Sequence, residues 1–501
     1  MPKIPLISAI TGICLFSLAL GMRVYPHLKR SPGGVDAWYF LSYIRELKRT
    51  KRFPVKLPRY LMDIEEQWYP PGFPLLLALL PTNFLYKCHW LISPLIDCLQ
   101  LLLLYVFTLI TTGSLFAALI ASVVYAVTYT LISENLNMNS RSLGAIVEVA
   151  LMLCIFRYID TAQWWWLMVS LVMGAVLLLT HKMSTQCFVF TMLFLTLMES
   201  RLAYITLTIG IVIFTLVVSG GFYYKVLLSH IDILLFWRRN LHNLGAHQIL
   251  ESPIYKGELS VDTKAYRSGT KGLFLNVRRV LSHNFFLVPL LISPFVGYNV
   301  DRFCWWAIST YILALVTTLF GPLRFLGEGY KYLKMAAFPT AYVLSRGFTD
   351  TYHWVLILSI GVAVLINFKL IVRLYKLLRA KNIGEATTSR ALSEAVQFIG
   401  RLPQGVVLCV PQTYPDYVVY HTNHKVLWGT HSGGFTLVED FFPVLRKPFE
   451  YFIEQYHVSY ILLNKDYVAP TVLGLNHGGS VKELRTMDNI IVYEVVVGKA
   501  R

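Results

Sequence analysis

Long unbroken apolar blocks alternate with polar stretches along the first three quarters of the chain. Blocks of membrane-spanning length lie near residues 4–22, 91–111, 114–133, 143–159, 164–180, 186–199, 202–221, 284–299, 304–321, 333–347 and 353–375. They predict an α-helical polytopic membrane protein with about eleven transmembrane helices. The first block, IPLISAITGICLFSLALGM, lacks a small-residue cleavage motif and reads as a retained anchor. A further run, GFPLLLALLPTNFLY at 72–86, carries prolines at 74 and 81. At about 1.5 Å per residue it reaches roughly 22 Å, short of a roughly 30 Å hydrocarbon core, so it reads as an interfacial or re-entrant helix. With that segment not crossing, the loop 23–90, the connectors 134–142 and 181–185, the loop 222–283, the stretch 321–334 and the C-terminal tail all emerge on one face. Polar, irregular backbone gathered on one face marks the expected reaction centre.

After residue 380 the pattern turns globular. TTSRALSEAVQFIGRL has helical spacing, GVVLCV reads as a buried strand, KPFEYFIEQYHV as a helix, and SYILLNK and NIIVYEVVV as strands. Alternating helix and strand over about 115 residues favours a small C-terminal α/β domain. The expected division is therefore residues 1–380 for the transmembrane domain, with large loops at 23–90 and 222–283, and 381–501 for the soluble domain. The first part of the loop 222–283, with Trp237, Arg238 and Arg239, has the amphipathic character of a helix lying on a bilayer.

Composition agrees and adds a charge. Of 501 residues 55% are hydrophobic and 15% charged, with a mean hydropathy of +0.54, outside the range of a soluble globular protein. The net charge is +17, from 45 Lys and Arg against 28 Asp and Glu, which suits anionic lipid head groups or phosphate esters. Nothing in the sequence supports a nucleic-acid partner. The seven cysteines are scattered without metal-ligand spacing, so neither a disulfide framework nor a zinc site is expected.

Several features spread over most of the chain carry a resemblance. They are GGVDAWYFLSYIRELKR after the first span, EEQWYPPGFPLLLALLP before the short apolar segment, a polar Arg-containing connector after the third span, GEGYKY before a late span, and the C-terminal α/β domain. Together they resemble the GT-C glycosyltransferases, polytopic enzymes that use polyprenyl-phosphate sugars, in the manner of protein mannosyltransferases and aminoarabinose transferases. The resemblance implies transfer of a hexosyl or pentosyl group from a polyprenyl-phosphate donor to a hydroxyl of a glycan, lipid or protein acceptor. It also implies an active site on the extracytoplasmic face of the plasma (inner) membrane, and so an extracytoplasmic C-terminal domain. The loop 23–71 carries ten Lys or Arg, which the positive-inside rule would place in the cytoplasm. The extracytoplasmic placement is kept, with the basic excess assigned to phosphate binding.

The resemblance assigns Asp36, the acid after the first helix, as catalytic base. Chemistry agrees, since sugar transfer needs a carboxylate to take the acceptor proton as the anomeric carbon is attacked. The plain alternative is a helix N-cap. The departing phosphate calls for cations at span ends, and Arg141, His181, Lys182, Arg324 and Lys331 occupy such positions; the alternative for each is ordinary snorkelling. Glu328 is expected to orient Lys331 or Arg324. Glu65 and Glu66 position the acceptor or pair with the basic segment 45–59, Asn139 offers an amide to sugar hydroxyls, and Tyr69 offers a ring face to a pyranose or an interfacial belt. Some family members hold a divalent metal through two acidic motifs. Here the second connector has only Glu134 and no DxD, so no metal ligands and no cofactor are assigned. The rival reading is a transporter or flippase of lipid-linked glycans, which predicts ionisable residues deep within spans, such as Asp97 and Glu148, and repeated halves. No repeat is visible.

Overall fold

The computed structural model describes residues 6–29, 34–244, 248–249, 251–253, 269–296, 300–348, 354–380, 390–431, 433–475 and 481–496. Helices follow in the order α1 (Leu6–Val24), α2 (Val35–Thr50), α3 (Gly72–Ala78), α4 (Thr82–Thr112), α5 (Leu115–Ala126), α6 (Tyr129–Glu134), α7 (Arg141–Thr161), α8 (Trp164–Leu178), α9 (Lys182–Met198), α10 (Ala203–Val218), α11 (Phe222–Arg239), α12 (Gly269–His283), α13 (Leu287–Ile292), α14 (Arg302–Leu319), α15 (Leu333–Arg346), α16 (Trp354–Ala380), α17 (Arg390–Ile399), α18 (Pro415–His421) and α19 (Phe449–Gln455). The strands are β1 (Val406–Val410), β2 (Lys425–Val426), β3 (Val458–Asn464), β4 (Val481–Met487) and β5 (Ile490–Val495). Two compact units result: Met1–Arg30, Trp90–Tyr224 and Ser268–Asn382 form the first, and Ser31–His89, Lys225–Arg267 and Ile383–Arg501 the second.

The first unit is a helical bundle with an apolar exterior. Leu6, Ile110, Leu197, Val217 and Leu365 are each at least 70% exposed, a surface that water does not tolerate over such an area and lipid does. Among the described residues five helices are long and apolar enough to cross a membrane: Leu6–Leu28, Thr82–Thr112, Arg141–Thr161, Arg302–Leu319 and Trp354–Arg379. This is an integral membrane protein. Its centre holds α15, whose residues from Leu333 to Ser345 are all buried, against α14 and α5. Arg23 and Asp97 pair there with neither side chain exposed, and the Tyr125 hydroxyl donates to Asp97 Oδ1 at 3.0 Å. Asp97, a polar residue in an apolar run, is thus neutralised inside the protein.

The expected count of about eleven spans is not reached by this length criterion, for reasons written in the backbone. The block 114–133 breaks after Ala126 and restarts as the six-residue α6. The block 284–299 gives only six α-helical residues, in α13, followed by a 3-10 turn with Pro294; its last three positions lie outside the described residues. The segment 72–86 is not one helix: α3 ends at Ala78, and Pro81 precedes α4, which runs 31 residues and so takes in both the end of that segment and the expected span 91–111. The supposed polar connector 181–185 belongs to α9, with His181 as its N-cap.

The second unit is built on a mixed five-stranded sheet in the order β2-β1-β3-β5-β4. β1 pairs in parallel with β2 and β3, while β5 runs antiparallel to both β3 and β4. The strands expected at GVVLCV, SYILLNK and NIIVYEVVV are β1, β3 and β5. The mostly solvated β4 and the two-residue β2 were not foreseen. The loop after α2 is stitched to the β2 edge: Leu61 N donates to Val426 O at 3.0 Å, Met62 N to Leu427 O at 2.7 Å, and Val426 N to Arg59 O at 2.8 Å. α11 also joins this unit. Phe236, Ile233 and Trp237 pack into its hydrophobic core with Trp428, Phe435 and Phe442, and Arg239 pairs with Glu439 at 2.9 Å. This face of α11 covers protein, while Tyr224, Leu228, Ile231 and Leu235 form an exposed apolar stripe on the same helix, in keeping with the amphipathic character expected of it. Residues 254–268 of the same loop lie outside the described residues.

Candidate active site

In the first unit the candidate cations stand at helix starts that small residues bring close. A Cβ at Gly144 on α7 would lie 2.1 Å from Ser184 Oγ on α9, so only glycine lets these N-terminal turns touch. Arg141 opens α7 and pairs through Nε with Glu134 Oε2 at 2.9 Å. His181 is buried, and its Nδ1 accepts from Ser184 N at 3.4 Å; Lys182 follows as the first residue of α9. Tyr332 donates to Gln186 Oε1 at 2.7 Å, which ties the stretch 321–332 to α9. On that stretch Lys331 pairs with Glu328, and the Tyr330 hydroxyl donates to Glu328 Oε2 at 2.9 Å. Arg324 donates from Nε to Thr318 O at 3.3 Å.

Further groups complete this cluster. The Arg279 guanidinium lies 4.5 Å over the Tyr330 ring, and the His283 ring is 4.4 Å from it. His283 Nδ1 donates to Arg279 O at 2.8 Å, while burial lowers its pKa. Burial alone would raise the Glu328 carboxyl, but Lys331, the Tyr330 hydroxyl and Arg279 outweigh it and hold the group at about 2. Lys331 is shifted the opposite way: burial disfavours its charge, and Glu328 and Glu134 more than restore it. Arg141, Arg279 and Lys331 thus gather beside Glu134 and Glu328.

The connector that aims Arg141 is rigid. Lys334, fully buried on α15, donates to Asn135 Oδ1 at 2.9 Å and to Ser142 Oγ at 2.8 Å. Asn139 donates to Glu134 O at 2.6 Å and to Asn137 O at 3.0 Å, and its Oδ1 accepts from Arg141 N at 3.1 Å. Both ends of the Asn139 amide are engaged within the connector.

Asp36 belongs to the second unit, in the first turn of α2. It is not the N-cap: that position is Gly34, at φ 131°, with no side-chain cap bond. The Asp36 side chain is 33% exposed, and its Oδ1 lies 3.6 Å from His431 Nε2. Tyr39 stacks on the His431 ring at 4.8 Å and 16°, and Tyr69 meets it edge-on at 5.1 Å. His431 sits in the loop GTHSGGF, held from two sides. Asp63 Oδ1 accepts from Gly433 N at 3.1 Å, and Asp416, buried on α18, accepts from Thr430 N at 3.1 Å, from the Thr430 hydroxyl and from the Tyr60 hydroxyl at 2.8 Å. Burial lifts the Asp416 carboxyl above its ordinary value, against the pull of the Thr430 hydroxyl, His431 and Tyr60. Gly429 makes room, since a Cβ there would be 2.7 Å from the Tyr60 ring and 2.8 Å from Asp416 Oδ1.

The carboxylates at 65 and 66 have protein partners: Glu65 lies 3.8 Å from Lys56, and Glu66 accepts from Lys225 at 2.5 Å. Much of the basic excess of the loop 23–71 is likewise absorbed by protein. Arg23 pairs with Asp97, Arg45 donates to Tyr420 O and Val419 O, Lys48 to Leu80 O, Arg49 to Glu46 and Arg59 to Thr422 O. A divalent metal does not fit these surroundings: among the described residues no three His, Cys, Asp or Glu side chains cluster, Asp36 faces a histidine and aromatic rings, and Glu134 and Glu328 are each taken by a cation. Sequence reading missed His431, Thr430, Asp416, Tyr330 and Lys334. A lone histidine flanked by glycines was the one available signal.

No protein-family model matches the chain, and no curated protein matches it in sequence. Solved structures do match. The aminoarabinose transferase ArnT of Cupriavidus metallidurans, solved with undecaprenyl phosphate, superposes with a TM-score of 0.57 over 98% of each chain at 12% identity. The chain has the GT-C fold. The Archaeoglobus fulgidus oligosaccharyltransferase gives a TM-score of 0.56 over 90% of this chain and 69% of that one, at 13% identity. The archaeal oligosaccharyltransferase AglB from Archaeoglobus fulgidus, in complex with an inhibitory peptide and a dolichol phosphate, gives 0.52 over 90% of this chain and 69% of that one, at 12% identity. At these identities the likeness is one of fold, and the chemistry has to be argued from the residues described above.

Proposed function

We propose that this GT-C chain is a membrane glycosyltransferase that moves a hexosyl or pentosyl group from a polyprenyl-phosphate donor to an acceptor hydroxyl on a glycan, lipid or protein. The observation that carries the reading is the gathering of Arg141, Arg279 and Lys331 beside Glu134 and Glu328, with Arg141 opening the membrane span α7 and Lys331 just ahead of α15. A lipid phosphate is the anion that such cations receive at a membrane surface while its tail stays in hydrocarbon. Structural neighbours solved with undecaprenyl phosphate and dolichol phosphate support that ligand class.

Asp36 serves as general base. It takes the acceptor proton as the acceptor oxygen attacks the anomeric carbon; the bond from that carbon to phosphate oxygen breaks, and the phosphate leaves with its electron pair. Arg141 and Lys331, with Lys182 and Arg324, stabilise the departing charge, arginine by paired hydrogen bonds and lysine as a point charge. Glu328 orients Lys331. The reaction face is extracytoplasmic, at the plasma (inner) membrane.

The test is turnover in proteoliposomes offered a panel of undecaprenyl-phosphate sugars, read as release of undecaprenyl phosphate. Asp36→Asn is expected to lower kcat by about 10²–10⁴-fold, with unchanged thermal stability. Retained transfer in Asp36→Asn removes the base assignment. Lipid translocation without sugar transfer, unaffected by the same substitution, replaces the enzyme reading with the transporter one.

A further inference from the structure

His431 has a neighbour on each ring nitrogen, and with Asp416 ionised the hydrogen-bond inventory sets which nitrogen carries the proton. Nδ1 is 3.0 Å from Thr430 Oγ1, and Nε2 is 3.6 Å from Asp36 Oδ1. A threonine hydroxyl has one proton to give. Here it goes to Asp416 Oδ2, which also accepts the Thr430 backbone N–H, while Asp416 Oδ1 accepts from Tyr60. With Asp416 ionised, its two oxygens accept all three of these donors. Thr430 Oγ1 is then left with lone pairs only, so His431 Nδ1 must donate to it. In the neutral ring Nε2 is bare and faces the Asp36 carboxylate: two acceptors oppose each other at a separation that closes to a hydrogen bond only when a proton lies between them.

We propose that His431 is the proton relay and positioning residue for Asp36, with Asp416 and Thr430 setting its tautomer. This rests on the reading of Asp36 as base. The acceptor O–H bond breaks as the new glycosidic bond forms, and the proton passes to Asp36. Protonated Asp36 hands it to the bare Nε2, giving an imidazolium beside a regenerated carboxylate, and the imidazolium, 14% exposed, releases the proton to water. Tyr39, stacked on one face, and Tyr69 at the edge hold the ring in register. The titratable groups around it are Asp36 on α2, Asp416 on α18 behind Thr430, and the phenols of Tyr39 and Tyr69; burial raises the Tyr39 pKa, so that phenol stays neutral through the working pH range.

Two measurements on the full chain test this. The first is ¹⁵N NMR of detergent-solubilised protein labelled at histidine ring nitrogens, with the His431 signals assigned by their loss in His431→Gln. The neutral wild-type ring is expected to be protonated at Nδ1, and Thr430→Val, which removes the acceptor, to move the proton to Nε2. A wild-type ring protonated at Nε2, or one indifferent to Thr430→Val, overturns the proposal whatever the transfer assay gives. The second is the pH–rate profile for undecaprenyl phosphate release. His431→Gln is expected to lower kcat roughly 10–100-fold with KM for the donor unchanged, and added imidazole to restore part of the rate in His431→Ala. A donor KM that rises while kcat holds, or no rescue in a folded His431→Ala, reduces His431 to packing and overturns the relay. A wild-type protein inactive toward every donor defeats the transferase reading, and with it the relay, while the NMR result still judges the tautomer.

Discussion

Gly329 links the packing of the first unit directly to its cation cluster, which makes Gly329→Ala a sharp test. The residue lies between Glu328 and Tyr330, pressed against α14. A Cβ there would stand 2.2 Å from Ala314 O, 2.2 Å from Thr318 Oγ1 and 2.7 Å from Thr317 Oγ1, where ordinary contacts begin at 3.4 Å. The two threonine hydroxyls are themselves hydrogen-bonded to α14 carbonyls, and a main-chain oxygen has no rotamer to escape into. The segment must therefore move by about 1 Å, at the upper end of the roughly 1–3 kcal/mol that overpacking costs. In a chain of this length each kcal/mol moves Tm by about 2 °C or less, so a fall of roughly 3–6 °C is expected. A 1 Å shift of Glu328 and Lys331 also displaces the proposed phosphate site, where such errors cost up to about 10²-fold; the expected readout is a donor KM raised at least roughly tenfold. The assays are tryptophan-fluorescence melting in detergent and undecaprenyl phosphate release. Gly361→Ala on α16, where nothing lies within 4 Å of the added methyl, is the control and should melt as wild type. A Gly329→Ala protein with wild-type Tm and KM would refute both the packing argument and the link from this turn to the site.

Two further substitutions test charge arrangements. Glu328, held at about 2 against an ordinary value of 4.5, contributes stability that is fully present above pH 4.5 and is lost as pH falls toward 2; Glu328→Gln should therefore melt below wild type at pH 5–7, with the gap closing on acidification, and a gap independent of pH would show that the Lys331 pair contributes nothing. Arg23→Met leaves Asp97 buried without its cation and should destabilise by about 3–5 kcal/mol, whereas the double variant Arg23→Met/Asp97→Leu should recover most of the loss, since removing both charges removes the desolvation cost; thermal melts of the three proteins give the coupling directly.

What the sequence made legible was the apolar exterior and the strands β1, β3 and β5, because hydropathy reports on solvent and short continuous apolar runs on buried strands. Where it misled, a local break overrode the apolar count: Pro81 splits the run 72–86 so that its second half joins α4, and Pro289 and Pro294 shorten the helix expected at 284–299. The role of α11 was hidden for another reason. The helix is apolar on two sides: Phe236 and Trp237 meet Phe435, Phe442 and Trp428, while Leu228, Ile231 and Leu235 stay exposed, and only the tertiary partners tell the two sides apart.

The candidate residues of each unit were legible as charges, and their partners were not. Arg141, Lys331 and Asp36 are visible as isolated charges flanking apolar runs. Arg279, Tyr330 and His283 come from segments that no local pattern connects, and they meet only because α12 and the stretch before α15 face each other. The same holds for Asp36: its neighbour His431 is almost four hundred residues away along the chain, and the proton count that makes that histidine a relay depends on Asp416, which reads in the sequence as an ordinary polar residue opening a short helix. A carboxylate's chemistry is set by who else claims the proton. That information lies in which donors have already been used, so it becomes readable only once the loop GTHSGGF is seen fastened between Asp63 and Asp416.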